Sequence, residues 1–291
     1  IRDRYMNSKT GVLYIVATPI GNLGDFSPRA VSILRTVDLV LAEDTRQTRV
    51  LMGHYGINTP MISFHEHNEK RRVDSVLDRI AGGESVALVS DAGTPLVSDP
   101  GYPLVSAASS RGITVSPVPG PCALVAALSA SGLAVDRFVF EGFVPPKAGP
   151  RDTLIRRIND QDATVVMYES SHRILATLSA MKAQFASDRQ MVIGREISKK
   201  FESFYRGSAA SLLEQLEASD DNRRGEFVIM VSAAGAREPG EEELRRMLAI
   251  LLAELPLKSA SRIAANWFGI SRKQAYAAGL DLERNGRSIC E

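Results

Sequence analysis

Between residues 12 and 131 the chain repeats one pattern. A short apolar run ends in a loop of polar, Gly or Pro residues, and most of these loops lead into a helix-like stretch. The runs cover residues 12–17, 39–42, 61–64, 86–89 and 114–118. Short continuous apolar runs are the mark of strands covered on both faces. Helical stretches follow at 29–36, 69–81, 102–111 and 123–131. The first opens on Ser27-Pro28, an N-cap with proline in the first turn, and the second stops at Gly82-Gly83. This alternation predicts a mostly parallel sheet with helices on both faces. Parallel strands share one C-terminal edge, so the strand-end loops can converge on a single crevice, where such sheets bind ligands.

The most informative of those loops follows the fourth run. Residues 86–101 read Val-Ala-Leu-Val-Ser-Asp-Ala-Gly-Thr-Pro-Leu-Val-Ser-Asp-Pro-Gly. Proline stiffens this loop and glycine lets backbone approach a small polar ligand closely, although turn residues alone also describe an ordinary connection.

After Gly132 the texture changes. Strand-like runs at 138–143, 164–168, 190–194 and 226–232 are mixed with hairpin-like character at 197–205 and helices at 172–184 and 209–218. A long loop, 144–150, has Lys147 and Arg151 at its flanks. Residues 233–240 read as a linker. A helix at 241–255 and two short helices, 259–267 and 271–282, around Gly269 have helix-turn-helix spacing. The expected fold is α/β, with an N-terminal α/β domain (11–131), a second α/β domain with a mixed sheet (132–234) and a small C-terminal helical module (241–287).

The 291 residues, 44% hydrophobic and 24% charged, are enough for two ordinary cores and a small module. A net charge of +1 supplies no global attraction to nucleic acid, so any basic surface is local. Cys122 and Cys290 give neither a disulfide framework nor metal-ligand spacing, which fits a reducing cytoplasm. No apolar run approaches the ~20 residues that cross a membrane. Residues 1–10 are polar and lack a secretory core.

The chain lacks the Gly-x-Gly-x-x-Gly dinucleotide fingerprint, a P-loop and a Gly-x-Ser-x-Gly nucleophile elbow. Nicotinamide chemistry, nucleotide hydrolysis and Ser-His-Asp hydrolysis lose support accordingly. Asp25 and the pair Glu43-Asp44 place carboxylates at strand ends, as bases or ligands for hydroxyls and cations, or simply as solvated loop residues. His65 and His67 have no third ligand at metal spacing, so substrate contact is the better reading and no metal is expected. In the stretch from Tyr168 to Arg173, Ser171 suits an N-cap and Arg173 a phosphate. Lys199 lies in a charged stretch that reads either as a protected edge strand or as an RNA backbone contact. Between Lys258 and Arg287, Lys and Arg (258, 262, 272, 273, 284, 287) outnumber Asp281 and Glu283, with Trp267, Phe268 and Tyr276 interleaved. That combination suits nucleic-acid contact, and core packing accounts for the aromatics equally well.

Taken together, five motifs in these loops resemble one family: Thr18-Pro19-Ile20-Gly21-Asn22-Leu23, Ala42-Glu43-Asp44-Thr45-Arg46, Ser90-Asp91-Ala92-Gly93-Thr94-Pro95, Asp99-Pro100-Gly101-Tyr102 and Pro119-Gly120-Pro121-Cys122-Ala123. The chain resembles the tetrapyrrole-methylase superfamily over residues 11–287. Within it, the chain is similar to the branch that methylates the ribose 2′-oxygen of a decoding-centre cytidine in 16S rRNA. Tyr168–Arg173 and Gly225-Glu226-Phe227 fit that branch. The first loop lacks the Gly-x-Gly-Pro-Gly pattern of tetrapyrrole enzymes, and Thr94 stands where they carry Asp in Gly-Gly-Asp-Pro. Both departures point away from a tetrapyrrole substrate and toward RNA.

The resemblance implies S-adenosylmethionine held between two α/β domains, 16S rRNA in the small ribosomal subunit as partner, and a cytoplasmic homodimer. It implies cofactor contacts at Asp91, Gly93, Thr94, Val97, Asp99, Pro121, Cys122, Ala123, Met167, Tyr168 and Gly225. For the methyl transfer, Asp25 and Asp44, with His67 behind them, are candidate bases for the ribose hydroxyl. Arg46, His65, Arg173, Lys199, Lys258, Arg272 and Lys273 are candidate RNA contacts. Two other readings stay open. One is methylation of a small tetrapyrrole-like substrate, although 6% aromatic residues is low for a macrocycle cleft. The other is a DNA-binding regulator acting through the C-terminal helix-turn-helix.

Overall fold

A computed structural model describes residues 11–234 and 241–287. Most of the expected linker and all of Cys290 lie outside them. The chain divides into two compact units, Ile1–Ala233 and Ala234–Glu291. Both sheets belong to the first.

Five strands form the first sheet: β1 Val12–Val16, β2 Leu39–Ala42, β3 Met61–Ser63, β4 Val86–Val89 and β5 Thr114–Val118. All pair in parallel, in the order β3-β2-β4-β1-β5. Strands β2 and β4 are buried at every position, as apolar runs covered on both faces require. Alternate residues serve opposite faces. Val16, Val40, Ala87 and Val89 pack with α1 (Pro28–Thr36) and α2 (Thr45–His54) through Ile33, Leu34 and Met52. Leu13, Leu41, Val86 and Leu88 pack with α3 (Glu69–Ala81) and α4 (Tyr102–Ser110) through Leu77, Ile80 and Leu104. Helix α2 falls where no helix is read from the sequence; the Asp44 side chain caps it by accepting from the Arg46 N–H at 2.8 Å.

The second sheet is mixed, in the order β6-β7-β10-β8-β9. Its strands are β6 Phe138–Phe143, β7 Thr164–Ser170, β8 Met191–Arg195, β9 Ser203–Gly207 and β10 Glu226–Val231. Only β6 and β7 run in parallel; the remaining neighbours are antiparallel. One face is covered by α6 (Ala148–Asn159), α7 (Ile174–Gln184) and α8 (Ala209–Glu217), with Ile155, Leu178, Met181 and Leu212 against Met167 and Ile229. Helix α6 begins inside the expected 144–150 loop, with Pro150 in its first turn, where proline costs no helical hydrogen bond. The hairpin-like stretch 197–205 is a turn followed by β9.

The other face of this sheet takes α5 (Ala123–Ser131), the helix that follows β5. Leu124, Ala127 and Leu128 bury against Val166, Val192, Val228 and Met230. Arg206 on β9 donates to the Ala130 and Ser131 carbonyls at 2.7 and 3.3 Å, satisfying the last turn of α5. This helix joins the first sheet to the second, and residues from both line a cleft.

In the second unit, α9 (Glu241–Leu252), α10 (Leu257–Phe268) and α11 (Arg272–Arg287) close around Leu248, Ala260, Ala264 and Ala275. Gly279 on α11 allows a close approach to α10, because a Cβ there would sit 2.6 Å from the Leu257 side chain. Gly269 ends α10 in the left-handed conformation at φ 65°, the turn that helix-turn-helix spacing predicts.

Candidate active site

The cleft forms where four loops at the C-terminal edge of the first sheet meet the second sheet. Its volume of about 440 Å³ is in the range of cofactor sites. Ile20 enters from the loop after β1, Glu43 from after β2, Asp91 to Asp99 from after β4, and Cys122 and Ala123 from after β5. The second sheet adds Phe143, Tyr168, Ile197 and the start of β10, Glu226 to Val228.

The loop after β4 is held along its whole length. Thr18 and Gly93 exchange backbone hydrogen bonds of 2.8 and 3.1 Å, and the Thr18 hydroxyl donates to the Ser90 carbonyl at 3.1 Å. The Thr94 hydroxyl donates to the Pro121 carbonyl at 3.0 Å. At the far end the Gly101 N–H donates to the buried Glu69 carboxylate, in the first turn of α3, at 3.0 Å. Between these anchors Leu96 and Ser98 adopt φ of 73° and 67°. Non-glycine residues rarely enter that region, and such strain persists only where the surroundings enforce it. Gly93, at φ 87°, leaves the space that lets Ile20 pack beside the loop; a Cβ would lie 3.3 Å from its side chain.

Charge in the cleft has one sign. Glu43, Asp91, Asp99, Glu169 and Glu226 line it, with no Lys, Arg or His lining it among the described residues. Two of the five are paired with cations of the protein. Glu169, 2% exposed, accepts from Arg173 and the Ser170 N–H at 2.8 Å and from the Thr177 hydroxyl at 2.7 Å. Glu226 accepts from Lys199 Nζ at 2.9 Å. Asp91 accepts from the Asp44 N–H at 2.9 Å, and among the described residues none of the remaining three is ion-paired with a cation. Burial pushes the Asp99 carboxyl up to about 6, helped by Glu43 and Asp91 and resisted by a hydrogen bond from Ser90. Burial also raises Asp91 and Glu43, and Asp91 adds to the rise at Glu43. Such a set favours a positively charged ligand, which would relieve the mutual repulsion of the carboxylates.

The opposite wall is apolar. Phe140 and Phe143 meet the Tyr168 ring edge-on at centroid distances of 4.9 and 5.4 Å. The Tyr168 hydroxyl accepts from the Leu124 N–H at 3.1 Å, and burial with Cys122 nearby raises its pKa, so it stays protonated.

Comparison with known proteins bears on what this cleft holds. A family model described as Tetrapyrrole (Corrin/Porphyrin) Methylases matches residues 12–213. The chain belongs to that family. A second model, described as RsmI C-terminal HTH domain, matches residues 238–283. The chain is 48% identical over 282 residues to a Pseudomonas aeruginosa protein named ribosomal RNA small subunit methyltransferase I, covering 96% of this chain and 99% of that one. A Xylella fastidiosa protein of the same name is 48% identical over 92% of this chain and 99% of its own length. A solved structure titled as the methyltransferase CobJ superposes with a TM-score of 0.57, covering 77% of this chain and 95% of that chain, at 16% identity. That last likeness is one of fold.

The tetrapyrrole-methylase fold brings together many of the residues expected from sequence. Asp91, Gly93, Thr94, Val97, Asp99, Cys122, Ala123 and Tyr168 all line the cleft. Pro121 stands behind it as the acceptor for Thr94, and Met167 is fully buried one residue before Tyr168. Gly225, at φ 100°, precedes the lining residue Glu226; a Cβ there would fall 2.5 Å from the Glu196 side chain.

The expected bases and RNA contacts are arranged differently. Asp25 sits in an exposed 3-10 turn, Leu23–Asp25, outside the cleft lining, where it accepts a short hydrogen bond from the Ser198 hydroxyl. Asp44 is held at about 2 by its hydrogen bonds from Arg46, which makes it a weak base. Arg46 is exposed and carries that pair. His67 is exposed and touches His65 edge-on, with centroids 5.9 Å apart. Arg173 is committed to Glu169. Burial lowers the Lys199 ammonium, but its hydrogen bonds to Glu196 and Glu226, at 2.8 and 2.9 Å, more than compensate and raise it. Lys258, Arg272 and Lys273 are exposed on α10 and α11. Among the described residues no group of three or more His, Cys, Asp or Glu converges as a metal site.

Sequence reasoning passed over Glu43 in favour of Asp44. The signal was available: Glu43 is the first residue beyond a fully buried strand, and that is the position that turns into a strand-end crevice.

Proposed function

We propose that the protein is an S-adenosylmethionine-dependent methyltransferase acting on the ribose 2′-oxygen of a decoding-centre cytidine in 16S rRNA of the small ribosomal subunit. The observation that carries the reading is a cleft whose free charges are all carboxylates, in a chain similar from end to end to proteins named ribosomal RNA small subunit methyltransferase I. S-adenosylmethionine, when bound, supplies a methyl group on a positively charged sulfonium. The cleft residues fit such a cation: Asp91 and Asp99 face it with negative charge, while Gly93, Thr94, Val97, Cys122 and Ala123 offer close backbone and apolar contact.

The remaining work of the protein is alignment and exclusion of water. The loop after β4, anchored at Thr18, Pro121 and Glu69, presents a rigid wall. Phe143, Tyr168 and Ile197 form the apolar wall on the other side. A ribose hydroxyl is a poor acid, so a carboxylate beside it must receive the proton as the new bond forms. RNA would reach the cleft from the β2–β3 edge, past Arg46 and His65. The helical module would add Lys258, Arg272 and Lys273 for phosphates, and Trp267 and Tyr276, 73% and 45% exposed, for stacking on unpaired bases. In this reading residues 11–131 and 132–234 are the two walls of the site, 241–287 holds RNA, and the enzyme works as a cytoplasmic homodimer.

The test is transfer of labelled methyl from S-adenosylmethionine to small ribosomal subunits that lack the modification, with the product nucleotide mapped. Label on one cytidine 2′-oxygen is the expected result. Label elsewhere, or none, overturns the reading.

A further inference from the structure

A second cavity adjoins the cleft. Its volume is about 250 Å³, and it is lined by Glu141 and Phe143 of β6, Pro145 just beyond them, and Pro150, Leu154 and Arg157 of α6. Phe143 lines both spaces, so the two meet at its ring. The cavity is smaller than the ~300–1,000 Å³ of sites that take a whole drug-sized ligand, which suits a single ring.

The run Phe140-Glu141-Gly142-Phe143 builds this wall. Phe140 pairs with Val166 and Phe143 with Tyr168, so three steps along β6 oppose two along β7. That is a β-bulge, which bends a strand and re-aims its side chains. Gly142 takes the left-handed conformation there, at φ 70°. In a regular strand residues 140 and 143 face opposite sides, whereas here both rings meet Tyr168. The loop after β4 lies against the same bulge: a Cβ on Gly142 would be 3.5 Å from the Ser98 hydroxyl.

Glu141 pairs instead with α6, where Arg157 Nη2 donates to its Oε2. The Glu141 side chain is only 15% exposed, yet among the described residues its Oε1 accepts no hydrogen bond. Arg157 commits a single nitrogen to the pair. A carboxylate oxygen and guanidinium N–H groups are therefore left over at a wall that also carries an aromatic ring. Cytosine matches that set. Its 4-amino group donates to a carboxylate, its N3 and O2 accept, and its face stacks on an aromatic side chain. Uracil carries an oxygen at position 4 and a proton on N3, so Glu141 would repel its edge.

We propose that this cavity takes the base of the methylated cytidine, with Glu141 accepting from the 4-amino group, Arg157 donating to the pyrimidine edge and Phe143 stacking. The inference deepens the reading of the protein as a ribose methyltransferase and rests on it. A base seated beyond Phe143 leaves its own ribose on the cleft side of that ring, where the methyl donor would lie.

The experiment uses the full chain and small subunits that lack the modification. Methyl transfer is measured in single turnover with the target nucleotide as cytidine, as uridine, or as the pyrimidin-2-one ribonucleoside that lacks the 4-amino group. The wild type is expected to favour cytidine over each of the others by about tenfold or more. Glu141→Gln, whose amide can serve either pyrimidine, brings cytidine and uridine within about threefold of each other and loses no further rate when the 4-amino group is removed. Its affinity for S-adenosylmethionine, measured by calorimetry, stays within about threefold of wild type. The nucleoside series on the wild type needs no variant, so the test stands if Glu141→Gln fails to fold. A wild type indifferent to the 4-amino group, or a folded Glu141→Gln that keeps the full preference for cytidine, overturns the proposal. So does a Glu141→Gln that changes only the oligomeric state in sedimentation, which assigns the cavity to contact between copies of the chain. A wild type that methylates no rRNA counts against the parent reading instead.

Discussion

Glu169 on β7 and Asp99 after β4 both face the cleft, yet the protein treats them in opposite ways. Glu169 is surrounded by Arg173, Thr177 and the Ser170 N–H, and it ties β7 to the start of α7. Asp99 is pressed among Glu43 and Asp91 with only Ser90 to help it, and its carboxyl rises to about 6. The same division runs through the walls. The mixed sheet neutralises its charges with its own cations, Arg173 and Lys199, whereas the parallel sheet leaves Glu43, Asp91 and Asp99 unneutralised. A satisfied carboxylate holds the fold; an unsatisfied one in a cleft is stability set aside for a ligand.

If that division is right, Glu169→Ala has the largest structural effect. It strands Arg173 and Thr177 and should cost about 3 kcal/mol, the scale for removing one partner of a buried pair. Denaturant unfolding measures it, and a loss below about 1 kcal/mol would erase the contrast. Gly225→Ala comes next. The residue sits at φ 100°, and its Cβ would fall 2.5 Å from the Glu196 side chain, which holds Lys199. A loss of about 2 kcal/mol is expected in the same assay.

Asp99→Asn should act in the opposite direction. The carboxyl moves from an ordinary 3.8 to about 6 in the fold, so the unfolded chain ionises first and stability falls as pH rises between those values. Removing the charge should stabilise the ligand-free protein at pH 7 by about 1 kcal/mol, after allowing for solvent screening. Below about pH 4 the variant and wild type should unfold alike. The smallest effect belongs to Asp25→Asn. It weakens the contact to Ser198 but leaves the cleft lining intact, and the methyl-transfer rate should stay within about threefold of wild type.

The division between satisfied and free carboxylates was only half legible in the sequence. The parallel sheet was readable because four- and five-residue apolar runs must be buried on both faces, and parallel strands put their loops on one edge. That places Asp91, Thr94, Asp99 and Cys122 on one edge, where the structure has them line the cleft. What stayed hidden was partnership. Asp44 has the composition of a base and the geometry of a helix cap. Lys199 looks like a phosphate ligand until β10 brings Glu226 beside it, and Asp25 meets Ser198 across 173 residues of sequence. Helix α2 was missed because Thr45–His54 is polar, with only Thr48 and Met52 buried, so its apolar period is faint.

In the proposed reading the unpaired carboxylates hold a cation. Calorimetric titration with S-adenosylmethionine and with its neutral thioether product, S-adenosylhomocysteine, tests it directly in the wild type and in the Asp91→Asn/Asp99→Asn double variant. The two ligands differ by a methyl group and its charge, so the ratio of their affinities isolates the electrostatic contribution. Replacing both carboxylates should shift that ratio toward the neutral ligand by about tenfold, or 1.4 kcal/mol. A ratio unchanged by the double substitution would contradict the account.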